Sequence, residues 1–94
     1  MDIQVLQEAV EKLHATFEST SLETEARKIS HKLEEAHFNS GAVRPIADCV
    51  LSLLLAARSR GYDVEEVFTS LEGIARHALN SNWKRMPDGT YQST

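Results

Sequence analysis

Residues 42–60 read AVRPIADCVLSLLLAARSR, and apolar side chains cover most of the circumference when this stretch is drawn as a helix. A helix that is apolar on nearly all sides is a central one. Pro45 falls near its first turn, where a missing N–H costs least, and Gly61 suits the left-handed residue that ends a helix. The rest of the 94-residue chain is too short to cover all of this surface. We therefore expect the remaining apolar surface to contact another copy of the chain, in a dimer or a tetramer.

Helical spacing of apolar residues predicts three further helices around the central one. Asp2 is a good N-cap for the first, and Asp63, followed by Glu66, caps the fourth. The short Asn39-Ser40-Gly41 connection predicts an antiparallel return from the second helix to the third. We therefore predict one all-α domain over residues 1–94, an antiparallel bundle with a short irregular tail. The expected bounds are about 3–18, 21–38, 42–60 and 63–80 for the helices and 81–94 for the tail.

The second helix has two faces of different composition. Thr20 and Glu23 predict a capping box at its start. An apolar seam with steps of four and three is predicted to face the core, and it consists of Leu22, Ala26, Ile29, Leu33 and Ala36. The opposite face is predicted to be solvated, and it carries Glu25, Lys28, Lys32 and Glu35.

Composition narrows the class of protein. Ten Lys and Arg residues against 14 Asp and Glu residues give a net charge of −4, which argues against DNA or RNA as a partner. Cys49 is the single cysteine, so an internal disulfide is excluded and a reducing cytoplasm is favoured. The first ten residues lack the order of a signal peptide, and no apolar run approaches the roughly 20 residues of a membrane span. We expect a small cytoplasmic protein without membrane contact.

Polar residues at the edge of the second helix's apolar face are candidates for a site. Glu34 and His37 are three residues apart, so their side chains are neighbours on one surface. This spacing can present a carboxylate and an imidazole to one metal ion, and two such pairs can meet across a dimer axis. The spacing is more often that of a glutamate beside a half-buried histidine that binds nothing.

Asp48 is a carboxylate two turns into the apolar third helix. Burying it without a partner is costly, so it must reach solvent, a bound cation or a basic side chain. The basic candidates are Lys32, Arg44 and Arg58. Cys49, next to it, is predicted to be an inert core thiol.

The tail combines amide donors, two cations and the single tryptophan. Lys84 and Arg85 can contact phosphate groups, with Trp83 as an apolar wall and Asn80 as a donor. Alternatively, the two cations complement the dipole of the preceding helix. The Pro87-Asp88-Gly89 segment predicts a turn.

The order of these elements resembles the MazG-like all-α nucleoside triphosphate pyrophosphohydrolases. The resemblance covers roughly residues 26–91 and lies in four segments: Lys32-Leu33-Glu34-Glu35, Pro45-Ile46-Ala47-Asp48-Cys49-Val50, Gly61-Tyr62-Asp63-Val64-Glu65-Glu66, and the Asn-Trp-Lys-Arg tail. That family has an EExxE motif on one helix and an ExxD motif on the next. It cleaves nucleoside triphosphates to the monophosphate and pyrophosphate with magnesium, usually as dimers or tetramers.

The resemblance implies roles for particular residues. Glu34 and Asp48 correspond to ligands of Mg²⁺ or Mn²⁺, and His37 to a third ligand or the base for the attacking water. Asn80, Trp83, Lys84 and Arg85 correspond to the substrate-binding segment. His37 is taken as the counterpart of the last motif glutamate and Pro45 as that of the first glutamate of ExxD, so two of four acidic ligands are absent. A register one residue later, with Glu35 and Phe38, stays open.

Two functions therefore follow from the sequence. One is a divergent nucleoside triphosphate pyrophosphohydrolase whose activity is weakened or lost. The other is a non-catalytic helical scaffold or protein-interaction module that keeps the oligomeric bundle.

Overall fold

The computed structural model describes residues 2–17, 21–38 and 43–93. Over these residues the chain forms four α-helices and then two short strands. The elements are α1 (Ile3–Thr16), α2 (Leu22–Phe38), α3 (Arg44–Ser59), α4 (Val64–Asn80), β1 (Trp83–Arg85) and β2 (Tyr91–Ser93). The predicted all-α class is confirmed, and each helix bound lies within two residues of the expected one.

The ends of the helices follow local sequence signals. Asp2 Oδ1 accepts a hydrogen bond from Gln4 N–H at 2.9 Å, and Asp63 Oδ1 accepts one from Glu66 N–H at 2.8 Å. These contacts confirm both predicted N-caps. Gly61 has φ +90°, as expected for the residue that stops α3.

The start of α2 is only partly described. Ser21 Oγ accepts a hydrogen bond from Thr24 N–H at 3.2 Å, so a hydroxyl satisfies one of the first amides of the helix. The predicted capping box depends on Thr20, and the Asn39-Ser40-Gly41 connection precedes α3. Both lie outside the described residues.

The hydrophobic core lies where α1, α3 and α4 meet. Its buried members are Val10, Leu54, Leu55 and Val64, and the partly buried side chains around them are Leu6, Leu13, Leu51, Val67 and Phe68. Since α3 packs against α1, α2 and α4, its prediction as the central helix is confirmed.

The face that α2 turns toward the bundle differs from the predicted one. Glu25, expected in solvent, is fully buried, and its Oε1 accepts a hydrogen bond from Lys28 Nζ at 3.2 Å. Leu22 and Leu33, expected in the core, are 46% and 53% exposed. The assignment of the apolar seam was therefore wrong at both leucines and at Ala26, which is also exposed, and the solvated face was wrong at Glu25.

The contacts of two polar residues of α3, Asp48 and Cys49, explain this rotation of α2. The Cys49 thiol is buried and donates to the Ile29 carbonyl at 3.7 Å, and Asp48 Oδ2 lies 3.8 Å from Lys32 Nζ. Small and polar residues on α3 allow a close approach and offer a partner for the lysine. These contacts place the charged edge of α2 against α3. Leu22 and Leu33, on the apolar edge of α2, are left exposed to solvent.

The tail forms a β-hairpin, although it was predicted to be irregular. Strands β1 and β2 are antiparallel, with Arg85 opposite Tyr91. The predicted turn is confirmed: Gly89 has φ +88°, and Asp88 Oδ1 accepts hydrogen bonds from Thr90 N–H at 2.9 Å and from Thr90 Oγ1 at 2.6 Å. These bonds to the ionised form lower the pKa of Asp88.

None of the helices in the described part of the chain has the length and apolar character needed to cross a bilayer.

An exposed ion pair links α1 to α3 and makes stability depend on pH. Arg58 Nε donates to Glu11 Oε1 at 2.6 Å, and this hydrogen bond lowers the pKa of Glu11. A carboxylate whose pKa is lowered by folding stabilises the folded state above its unfolded pKa, and this contribution disappears as pH falls through the folded pKa.

Glu11→Gln is therefore expected to lower the Tm slightly at neutral pH. In acid, where Glu11 is also neutral in the original chain, the difference should vanish. Thermal unfolding followed by circular dichroism over the acid range checks this. A Tm difference that stays constant at all pH values would show that the charge of Glu11 is not its cause.

Candidate functional site

Glu34 and His37 lie together on the exposed side of α2. With Ser30 and Leu33 they line an open surface hollow of about 570 Å³. Among the described residues, neither Asp48 nor the tail cations line this hollow. The spacing therefore places Glu34 and His37 side by side, as predicted, but on a different surface from the contacts of Asp48.

Asp48 instead belongs to an ion network between α2 and α3. Its Oδ2 lies 3.8 Å from Lys32 Nζ, and the same ammonium lies 3.3 Å from Glu35 Oε2. The other oxygen of Glu35 lies 3.3 Å from His31 Nε2. Of the three basic partners considered for Asp48, the structure selects Lys32.

This network places one cation between carboxylates from two neighbouring helices. Asp48, Glu35 and Lys32 are each partly exposed, so water reaches the group and screens the charges. Carboxylate oxygens are ligands that magnesium and manganese accept, and here an ammonium lies between them. The sequence pattern predicted that Glu35 lies on the solvated face of α2. The alternative register of the acidic motif, one residue later, instead makes Glu35 a candidate site residue.

Within the residues described, no group of three or more His, Cys, Asp and Glu side chains has a geometry that could hold a metal ion.

The candidate substrate-binding residues lie at the end of α4 and on the hairpin. Asn80 Nδ2 donates to the Arg76 carbonyl at 3.0 Å, and Trp83 Nε1 donates to the Ala78 carbonyl at 3.2 Å. Trp83, Lys84 and Arg85 are all exposed. The structure thus attaches these residues to the last turn of α4, with Trp83 and Arg85 on one face of the hairpin and Lys84 on the other.

An apolar groove lies between α3 and α4. Its volume is about 700 Å³. Leu54, Val67 and Phe68 form its base, and the more exposed lining residues are Val50, Leu53, Tyr62, Glu66, Ser70, Leu71 and Ile74. The sequence predicted surplus apolar surface on α3 but did not indicate that α4 would complete a groove with it.

The apolar surface continues along α3 beyond the groove. Val43, Ile46, Val50 and Leu53 follow at steps of three and four, so they share one helix face. Val43 is 74% exposed and the other three are about half exposed. Large contiguous apolar surfaces on a folded chain mark interaction sites.

Comparison of the chain with protein-family models, with curated proteins and with solved structures finds no match. The described residues define a small all-α protein with two separate candidate sites. One is the ion network between α2 and α3, and the other is the apolar groove between α3 and α4.

Proposed function

We propose that this chain is a self-associating helical protein, a divergent relative of the MazG-like pyrophosphohydrolases that acts as a scaffold or interaction module. A second copy covers the apolar face of α3 and α4. The observation that carries this proposal is the exposure of Leu53, Leu71 and Ile74 in one groove, at 54%, 53% and 64%.

The size of this surface supports assembly between two copies. A stable protein interface removes about 1,200–2,000 Å² from solvent, which is about 600–1,000 Å² from each copy. The groove and its continuation along α3 carry seven large apolar side chains that are 47–74% exposed, so this apolar surface is contiguous rather than scattered over single residues. A twofold axis presents the same face on both copies, so one surface serves both sides of the interface.

The location proposed for this assembly is the cytoplasm. Cys49 is buried between α2 and α3, with its thiol on the Ile29 carbonyl. A free, buried thiol is suited to a reducing compartment.

Sedimentation equilibrium of the unmodified chain tests the proposal. The expected result is a concentration-dependent mass that rises from 10.5 kDa toward twice that value. A mass that stays at 10.5 kDa up to high micromolar concentration would contradict it.

A second candidate function is metal-dependent hydrolysis of a nucleoside triphosphate to the monophosphate and pyrophosphate. The observation that favours it is the pair of carboxylates, Glu35 and Asp48, that approach one cationic group from neighbouring helices. In this candidate Glu35 and Asp48 would bind Mg²⁺ or Mn²⁺, whereas Glu34 and His37, predicted as ligand and base, lie on a different surface and do not share that cation. The cation supplies charge neutralisation at the phosphate oxygens.

The tail would supply the contacts to the nucleotide in this second candidate. Arg85, on the same face as Trp83, would contact phosphate oxygens through charge-assisted hydrogen bonds, while Lys84 lies on the opposite face of the hairpin. Trp83 would form an apolar wall, and Asn80 would be an amide donor.

A panel of nucleoside triphosphates with magnesium or manganese separates the two candidates. If the chain is catalytic, pyrophosphate release should fall at least about 100-fold in Asp48→Asn, a change typical of removing a group that stabilises the transition state. Asp2→Asn is the matched control, because asparagine caps a helix as well as aspartate does. Absence of release from the unmodified chain across the panel would exclude the catalytic candidate.

A further inference from the structure

The C-terminal hairpin has one face on which aromatic and cationic side chains lie together. Alternate residues of a strand point to the same side of a sheet, and directly paired residues do so too. Arg85 pairs with Tyr91, so Trp83, Arg85 and Tyr91 share one face, whereas Lys84 and its partner Gln92 share the other. Trp83 is 50% exposed and Tyr91 is 61% exposed.

The hairpin is attached to the rest of the chain at one end, and the molecule as a whole is extended. The hydrogen bond from Trp83 Nε1 to the Ala78 carbonyl joins it to the last turn of α4. The radius of gyration is 15.5 Å, compared with about 12 Å for a compact chain of this length. A hairpin of two short strands is marginally stable alone, so a docking surface would stabilise it.

The groove between α3 and α4 has complementary chemistry. Its lining is mostly apolar, and Glu66 is the one charged residue among the described residues that line it. A smaller hollow beside it also includes Glu66, together with Asp63 and Glu65. The groove is therefore apolar with an acidic border, whereas the hairpin face is aromatic with a cation.

We infer that the Trp83, Arg85 and Tyr91 face of the hairpin docks in the α3–α4 groove of a second copy, with Arg85 beside Glu66. The inference rests on the proposed self-association and names the segment that fills the groove. The groove volume of about 700 Å³ accommodates more than one aromatic side chain.

Reciprocity makes a second copy the favoured occupant. Each chain carries both the hairpin and the groove, so a twofold axis produces two identical contacts. Two such contacts bury twice the area of one, and specific interfaces begin at roughly 1,200 Å² of total buried surface. The net charge of −4 opposes association of two identical chains, and a contact between Arg85 and Glu66 offsets that repulsion locally.

A charge exchange tests this contact in the full-length chain. Arg85→Glu and Glu66→Lys are each expected to raise the dimer Kd about fivefold or more, and the double variant should return the Kd to within about threefold of the original. Lys84→Glu is the matched control, because it makes the same change of charge on the opposite face of the hairpin. Its Kd should change less than that of Arg85→Glu. Sedimentation velocity over a concentration series gives each Kd, and circular dichroism verifies the helical content of each variant.

The possible results separate this inference from the proposed function. If the unmodified chain dimerises and Leu53→Glu abolishes the dimer, but Arg85→Glu has no more effect than Lys84→Glu, the hairpin is not the occupant of the groove. A double variant no better than the single variants would also overturn the inference. If the unmodified chain never dimerises, the proposed function fails together with it.

Discussion

Replacing Leu53 with glutamate is expected to convert the assembled protein to a monomer. Leu53 is 54% exposed and lines the groove, so the substitution leaves the core intact and places a carboxylate where the second copy contacts α3. Burying an unpaired charge in an apolar contact is costly. We expect the dimer Kd to rise about 100-fold or more, which corresponds to about 3 kcal/mol of association free energy.

Leu79→Glu is the control for this prediction. Leu79 is 84% exposed near the end of α4, and it is not among the residues that line the groove. The same chemical change at this position should leave the Kd almost unchanged. Light scattering coupled to size exclusion measures both variants at matched concentrations. Equal effects of the two variants would indicate a general response to added charge and would contradict the assignment of the α3–α4 face.

Replacing Leu55 with alanine is expected to give the largest loss of folding stability. Leu55 is 3% exposed and packs in the cluster with Val10 and Val64, where α3 meets α1 and α4. Removing most of a buried leucine side chain loses its transfer free energy and leaves a cavity. The free energy of unfolding should fall by about 2–5 kcal/mol.

Chemical denaturation at one fixed protein concentration measures this change, since association also contributes to apparent stability. Leu79→Ala makes the same substitution at an exposed site and should change the free energy of unfolding by less than about 0.5 kcal/mol. A Leu55→Ala variant as stable as Leu79→Ala would show that the core does not lie around Leu55.

The helix ends were predictable because the signals that set them are local. Asp2 and Asp63 accept hydrogen bonds from amides two and three residues away, and Gly61 adopts a positive φ that few other residues tolerate. Each signal depends on a few neighbouring residues, so tertiary structure is not needed to recognise it.

The hairpin was not predicted, because its strands have three residues each, which is too short for a periodic pattern.

The rotation of α2 about its own axis could not be predicted, because its apolar face and its charged face adjoin. Ile29 and Ala36 lie on the edge that both faces share, and only the contacts of α3 decide which neighbours face inward. The stem of Lys32 is long enough for its ammonium group to reach Asp48 on α3, whereas the ammonium group of Lys28 contacts Glu25 on its own helix. Composition alone therefore did not indicate that Glu25 is buried.

The candidate sites were predictable to different degrees. The spacing of Glu34 and His37 placed them on one surface, since that relation depends only on the helical repeat. The approach of Asp48 to Lys32 and Glu35 depends on how α2 and α3 pack, and the sequence offered Lys32 only as one of three partners. The groove required the relative position of α3 and α4, which no local pattern contains.

A filtered nuclear Overhauser experiment on a mixture of labelled and unlabelled chains detects only contacts between copies, and so tests directly whether the α3–α4 face joins them. We predict intermolecular signals from the methyl groups of Leu53, Leu71 and Ile74, and weaker signals on dilution. Intermolecular signals that arise only from other surfaces, or none at concentrations where the chain is fully folded, would contradict the claim that the α3–α4 face joins two copies.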